Sequence, residues 1–301
     1  MNKYKKIKSS NDGLFLEVEL GNYCNYTCSY CMPSVYSGTD WIDYNKLCSF
    51  IDKVKPKHVL LGGGEPTTYP KINPLLIFLK SKGIITDIIS NGSRSLNWWV
   101  TNSKYLDIIT LSFHLEYANV FSFKEILKYL TETKIVTINV PMIPERFSEC
   151  HIIAKQLSKI KNTFVSLKAL TNYETQELYE YTEDQLMEMS NIIKPKDKTT
   201  VNKNSVTIKG FNIDGKEEKT TAQKLISEKN NRFKSWLCWK GISYLRLKYN
   251  GDLFRAACEQ PDGPFLNIYD DFLELPKEPS ICNKDYCFCL TDLKTIDKVK
   301  L

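Results

Sequence analysis

From residue 14 to about residue 194 the chain alternates short runs of apolar and β-branched residues with stretches of helical spacing. The runs are LFLEVEL (14–20), HVLLG (58–62), IITDIIS (84–90), DIITLSF (107–113), IVTINVP (135–141) and TFVSLKAL (163–170), and their composition predicts strands. Between them YNKLCSFIDKV, INPLLIFLKSK, VFSFKEILKYLTET and ECHIIAKQLSKI repeat apolar residues three and four positions apart, as one face of a helix does. Six βα units in series predict an α/β fold of parallel strands with right-handed crossovers, either an open doubly wound sheet or a complete or partial (β/α) barrel. In each arrangement function collects at the carboxyl ends of the strands.

After NIIKPKDKTT the period changes to two. SVTIKGFNIDGKEEKTT predicts one hairpin, and YLRLKYNGDLFRAAC a second around Asn250 and Gly251. A boundary is expected near residues 196–200, beside Pro195 in a polar, lysine-rich stretch. This divides the chain into a basic N-terminal tail (1–13), a βα region (14–197) and a smaller C-terminal α+β domain (198–301).

The chain of 301 residues is 42% apolar and 25% charged, ordinary for a globular protein. It has neither a signal-peptide pattern nor an apolar run of membrane-spanning length, so a cytoplasmic location and no membrane partner are expected. The formal charge is +6, but only five of 41 basic residues are arginine and the lysines are dispersed, which argues against a nucleic-acid partner.

Ten cysteines change the picture, because a reducing compartment excludes a disulfide framework and favours metal or catalytic use. Three of them, Cys24, Cys28 and Cys31, crowd the loop after the first strand. Five more, Cys238, Cys258, Cys282, Cys287 and Cys289, lie in the C-terminal domain. Cys48 and Cys150 stand alone in helical segments and are read as packing residues. Three thiolates within eight residues suit three corners of an iron–sulfur cubane whose fourth iron lacks a protein ligand. Zinc is the rival, although it prefers four closed ligands and no fourth lies near in sequence. A second element, LLGGGEPT (60–67), follows the second strand: glycines 62–64 allow close backbone approach, Glu65 offers a carboxylate to an ammonium, and Pro66 stiffens the turn.

CNYTCSYC, with Tyr30 before its third cysteine, resembles the CxxxCxxC signature of the radical S-adenosylmethionine (radical SAM) superfamily, and GGGEP resembles that family's GGEP element. The resemblance implies a partial (β/α)6 TIM-type barrel and a radical enzyme. Cys24, Cys28 and Cys31 would then hold a [4Fe-4S] cluster that chelates S-adenosyl-L-methionine, with Gly63, Gly64, Glu65 and Pro66 around its amino group. Reductive cleavage would give a 5′-deoxyadenosyl radical that abstracts a substrate hydrogen. Tyr30 is a candidate adenine contact. Ser90, Asn91, Ser112 and Asn139, near strand ends, are candidates for ribose or carboxylate contacts, or else turn and cap residues. His114 and Lys168 at later strand ends are candidate catalytic residues facing substrate, with a structural histidine and a surface lysine as the alternatives.

The C-terminal cysteines, flanked by Trp236 and Trp239, resemble the SPASM or twitch extension of that superfamily and imply one auxiliary [4Fe-4S] cluster, with zinc as the alternative. All five are candidate ligands; four would leave one thiol over, structural or a hydrogen-atom donor, and Cys258 is a candidate both as ligand and as that donor. The expected substrate is a peptide, with a sugar, amino alcohol or nucleoside as the runner-up. The expected electron donor is a flavodoxin or ferredoxin. A cluster- or zinc-binding protein without catalysis is the reading from a different class.

Overall fold

Each of the six apolar runs contains a strand in the computed structural model, which describes residues 2–9, 12–172, 177–190, 208–271, 274–287 and 289–301. The chain forms two compact units that interleave in sequence. Residues 1–19, 42–60 and 203–301 make the first, and residues 20–41 and 61–202 the second. The boundary expected near residues 196–200 lies outside the described residues. No helix among the described residues is long and apolar enough to cross a membrane.

In the first unit, strand β1 (Tyr4–Lys8) arises from the segment read as a basic tail. Tyr4 and Ile7 are buried among lysines, and a register shift between Tyr4 and Lys6 breaks the period of two that would have announced the strand. It pairs with β10 (Ile208–Asn212), which forms the first expected hairpin with β11 (Glu217–Thr220). On its other side lies β17 (Lys298–Lys300), followed by β12 (Trp236–Cys238) and β16 (Ser280–Ile281), all antiparallel.

The second expected hairpin, β13 (Tyr244–Leu247) with β14 (Asp252–Phe254), turns at Gly251, whose φ of 88° suits glycine, and β15 (Leu266–Asn267) extends it. Strand β13 also runs parallel to β2 (Phe15–Glu19), the first strand of the expected repeat. Tyr244 stacks on Phe15 and donates its hydroxyl to Glu17 at 2.7 Å, while Arg246 pairs with both Glu17 and Glu19. Three helices complete the unit: α1 (Tyr44–Val54), α7 (Ala222–Ser227) and α8 (Leu290–Thr295). The C-terminal thiols are part of its core, with Cys238, Cys282 and Cys287 packed among Tyr4, Phe233, Trp236 and Leu293.

Strand β5 (His58–Gly62) carries the chain from the first unit into the second. There, β6 (Ile85–Ser90), β7 (Ile108–Ser112), β8 (Val136–Met142) and β9 (Thr163–Ala169) run parallel in sequence order. The intervening helices are α3 (Leu96–Asn102), α4 (Val120–Leu130) and α5 (Phe147–Leu157), preceded by α2 (Ile72–Ser81) and followed by α6 (Glu183–Ser190). This is the βα repeat of a partial TIM-type barrel.

One face of these strands carries Ile88, Ile109, Leu111, Val136, Ile138 and Val165, all fully buried. The other face, where Thr110 adjoins Thr137 and Ser112 adjoins Asn139 and then Ser166, is only half-buried. Hydroxyl and amide groups thus occupy positions that branched apolar residues fill in a packed barrel. An unexpected two-stranded ribbon, β3 (Gly21–Tyr23) with β4 (Ser37–Trp41), completes the unit. Its second strand reads SGTDW, without apolar alternation, which hid it from the sequence pattern.

A methyl group placed on Gly210 would lie 2.4 Å from the buried Tyr4 ring. Gly210→Ala should therefore destabilise the first unit by about 1–3 kcal/mol, read as a lower urea midpoint. An unchanged midpoint would show that β1 is not packed as described.

Candidate active site

The cysteine loop is an excursion closed at its neck by the ribbon. Strand β3 delivers the chain to Cys24, whose amide donates to the Tyr36 carbonyl at 3.3 Å just before β4 begins. Inside the loop the Cys31 amide donates to the Cys28 carbonyl at 2.9 Å, so the last two cysteines share one tight turn. The Cys24 sulfur accepts from the Tyr26 amide at 3.4 Å and the Asn91 side-chain amide at 3.7 Å. Asn91 also donates to Asn25 Oδ1 at 2.9 Å, tying the loop to the end of β6.

The GGGEP turn reaches the same place from β5. Gly63 and Gly64 adopt φ of 82° and 52°, a left-handed pair that glycine adopts without strain, and the Glu65 amide donates to the Tyr23 carbonyl at 2.8 Å. Glu65 is 1% exposed. Its Oε1 accepts from the Thr67 amide and hydroxyl and from the Ser90 hydroxyl at 2.8 Å, and its Oε2 accepts from the Asn91 amide at 2.7 Å. Burial pushes the Glu65 carboxyl up, and these donors oppose that shift. Pro66 is buried and opens the short 3-10 turn that Glu65 caps.

A third wall follows β7, where three residues clasp the cysteine loop. His114 Nδ1 shares a 2.8 Å hydrogen bond with the Tyr30 hydroxyl, and the two rings stack with centroids 6.0 Å apart. Glu116 accepts from the Ser29 amide at 2.8 Å and from its hydroxyl. Tyr117 stacks on Tyr26 at 5.1 Å and donates to the Thr27 carbonyl at 3.1 Å. Burial lowers the His114 pKa from 6.5 to about 4, so its imidazole is neutral at neutral pH.

These walls line an open cleft. Cys24, Cys28 and Cys31 face it, as do Gly64 and Glu65, Ser90 and Asn91, and Ser112 and His114. Tyr26 and Ile89 also line it and were not singled out from the sequence. Tyr30 is engaged with His114 beside the cleft, and Gly63 and Pro66 flank it in the turn. Asn139 stands next to Ser112 on the neighbouring strand, and Lys168 lies further along β9 opposite Pro141; neither is on the cleft wall. Of the two lone cysteines, Cys150 is fully buried on α5 and Cys48 partly buried on α1.

Burial raises the pKa of all three loop thiols, that of Cys28 to about 12, so a bound cation is needed to hold them as thiolates. Among the described residues no three His, Cys, Asp or Glu side chains close around a single-ion position. The thiols instead spread along one wall of a cleft that has no fourth thiol. That donor set, with hydroxyl and amide groups opposite, fits a four-iron cluster with one open iron and an amino-acid-like ligand upon it.

A second, tightly closed cysteine cavity lies in the first unit. Cys238, Cys258, Cys282 and Cys287 face it, together with Lys240, Lys298 and Asp292. Cys289 instead occupies the N-cap position of α8. The pairing of β12 with β16 brings Cys238 near Cys282, and the Asn231 side chain donates to the Cys287 carbonyl at 3.1 Å while the Asn231 carbonyl receives the Cys287 amide at 2.9 Å. Asp292 accepts from the Ala257 and Cys258 amides. Burial pushes Cys258 and Cys289 up to about 12 and raises Cys238 and Cys287 as well.

Residues 18–157 match the family model described as the Radical SAM superfamily. Two curated relatives are each 28% identical in part. The S-adenosylmethionine-dependent nucleotide dehydratase of Thermoplasmatales archaeon (strain ISO4-H5) aligns over 36% of this chain and 38% of its own length. The 7-carboxy-7-deazaguanine synthase of Haemophilus influenzae aligns over 48% and 61%. Among solved structures, Streptococcus suis SuiB bound to S-adenosylmethionine is similar in fold, with a TM-score of 0.56 at 16% identity, covering 86% of this chain and 64% of that one. SuiB bound to its precursor peptide SuiA gives 0.53 at 15% identity, covering 86% and 63%. The chain thus spans less than two thirds of the length of each of these relatives.

Two outcomes test the clasp. Glu116→Ala leaves the Ser29 donors without their acceptor, and should raise hydrogen exchange at residues 24–31 and speed iron loss to a chelator several-fold. Unchanged exchange there would refute the clasp. In the metal-free chain, the His114 pKa is lower folded than unfolded, so the unfolded chain binds more protons between pH 4 and 6.5, and stability rises with pH across that window. Relative to His114→Gln, the parent should lose on the order of 2–3 kcal/mol as pH falls from 6.5 to 4, and parallel curves would show that His114 titrates normally.

Proposed function

Because residues 18–157 match the Radical SAM superfamily model, of a family that uses a [4Fe-4S] cluster and S-adenosylmethionine, we propose that the chain cleaves S-adenosylmethionine reductively and uses the radical to modify a peptide. The observation that carries this is the cleft in which three thiols, the GGGEP turn and polar strand ends converge. A cluster held by Cys24, Cys28 and Cys31 would supply the electron for reductive cleavage of S-adenosylmethionine, and with it the radical chemistry that hydrogen abstraction from a substrate needs.

The chain's own residues have separate tasks. Cys24, Cys28 and Cys31 hold three irons, and the Asn91 and Tyr26 donors to Cys24 stabilise its thiolate. Glu65 sets the geometry of its turn and presents Oε2, with Gly63 and Gly64, to the ammonium. Ser90, Asn91 and Ser112 serve the ribose and carboxylate, and Asn139, off the cleft wall, adjoins Ser112 from the next strand. His114, neutral, orients Tyr30, which borders the adenine site, and Lys168 faces substrate from the neighbouring strand. In the first unit Cys238, Cys258, Cys282 and Cys287 hold one auxiliary [4Fe-4S] cluster, and Cys289 is the surplus thiol. Cys258, facing that cavity, acts as a ligand rather than a hydrogen donor. A flavodoxin or ferredoxin supplies the electrons in the cytoplasm.

The likeness of fold to peptide-bound SuiB supports a peptide substrate. One observation favours a small polar molecule as the second reading: the half-buried face of β7 to β9 presents Thr110, Thr137, Asn139 and Ser166 beside Ile108 and Phe164.

The anaerobically reconstituted chain should carry about eight irons and form 5′-deoxyadenosine with S-adenosylmethionine and reductant. Replacing Cys24, Cys28 and Cys31 by alanine should abolish that product and leave about four irons. Replacing Cys258 should also leave about four, whereas Cys289→Ala should leave the count unchanged. Absence of 5′-deoxyadenosine with peptide and nucleotide candidates present would refute the enzyme reading, and turnover of nucleotides alone would overturn the peptide.

A further inference from the structure

We infer that the ammonium of Lys298 is the built-in counter-charge of the second cysteine cavity, placed to meet the negative charge that four thiolates around an iron–sulfur core bring there. This rests on the proposed reading of that cavity as a cluster site. Lys298 lies on β17 and is 2% exposed. Its Nζ donates to the carbonyl oxygens of Asp292 and Ile296, each at 2.9 Å, and sits 5.4 Å from the centre of the Phe233 ring. Carbonyls and a ring offer partial charges only. Among the described residues Lys298 forms no ion pair within 4.0 Å.

Of the neighbouring charges, the Asp292 carboxylate acts on Lys298 without a contact ion pair, and Lys240 and Arg255 are paired with Glu259. Asp292 receives the backbone amides of Ala257 and Cys258, both at 3.2 Å. Lys240, the second lysine beside these thiols, pairs with Glu259 at 2.7 Å, and Glu259 also takes Arg255 at 3.0 Å. With the thiols neutral, Lys240 and Arg255 share Glu259, Lys284 pairs with Asp262, and Lys298 is left with the Asp292 carboxylate, which makes no contact ion pair with it. An ammonium removed from water with no contact ion pair is costly, and the four thiols beside Lys298 would supply further negative charge on ionisation, so its retention fits an anion in the cavity. Four thiolates on an oxidised four-iron core bring a net charge of roughly −2, and reduction adds one more negative charge. A fixed cation at the wall therefore favours the reduced state more than the oxidised one and raises the reduction potential.

The test uses the full chain with Cys24, Cys28 and Cys31 replaced by alanine, so that only the second site gives a signal. After anaerobic reconstitution, iron is counted and the reduced cluster is titrated by electron paramagnetic resonance. Lys298→Gln keeps hydrogen-bond donors but removes the charge, and should either fail to retain iron or show a midpoint more negative than its parent. Lys298→Arg, which keeps the charge, should match the parent. Full loading of Lys298→Gln with an unshifted midpoint overturns the inference. So does a Lys298→Gln chain that fails to fold before iron is added, because the ammonium then serves the core itself. If the parent takes up no iron, the cluster reading of the cavity fails, and this inference with it.

Discussion

The buried carboxylate of Glu65 is the point at which three strand ends are joined. Its backbone is bonded to Tyr23 at the end of β3, its side chain to Ser90 and Asn91 at the end of β6, and both to its own turn. A carboxylate removed from water is tolerated only when its oxygens are satisfied, so the chain around it has little freedom. Asn91 passes that order to Cys24, and the His114–Glu116–Tyr117 segment fixes the far side of the cysteine loop. The thiols are placed by hydrogen bonds rooted in strands, so their positions do not depend on a metal drawing in a loose loop.

The two cysteine sets differ in kind. The loop set has three thiols facing a cleft rich in hydroxyl and amide groups, which suits a centre that must take an exchangeable ligand. The C-terminal set has four thiols built into a hydrophobic core beside a buried lysine, which suits a closed centre whose potential is set by its surroundings. Both sets carry thiols raised by burial, so each is reactive only in company with a cation.

The six strands of the repeat were legible because each is buried on one face by branched side chains, a pattern with a fixed period. The strands β1 and β4 were not, since one hides two apolar residues among lysines across a bulge and the other is polar and held by a local ribbon. The pairing of β13 with β2 joins residues more than two hundred positions apart and leaves no local signature. Within the site, the cysteine spacing and the GGGEP turn pointed to five residues, and positions near strand ends to Ser90, Asn91, Ser112 and His114, which line the same cleft. The clasp from Glu116 and Tyr117 went unseen because a lone carboxylate and a tyrosine in a loop have no pattern to betray them. Only the fold reveals that Cys238, Cys258, Cys282 and Cys287 line one cavity while Cys289 sits at the start of α8.

The central claim is that the loop thiols leave one iron for the amino and carboxylate groups of S-adenosylmethionine. Electron–nuclear double resonance on the reduced chain with cosubstrate labelled at those groups with ¹⁵N and ¹⁷O tests it directly. Hyperfine coupling from both labels to the cluster, lost when Cys28 is replaced, is the result expected from this geometry. A cluster that forms without coupling to either label, or a centre held by a single zinc ion, would contradict it.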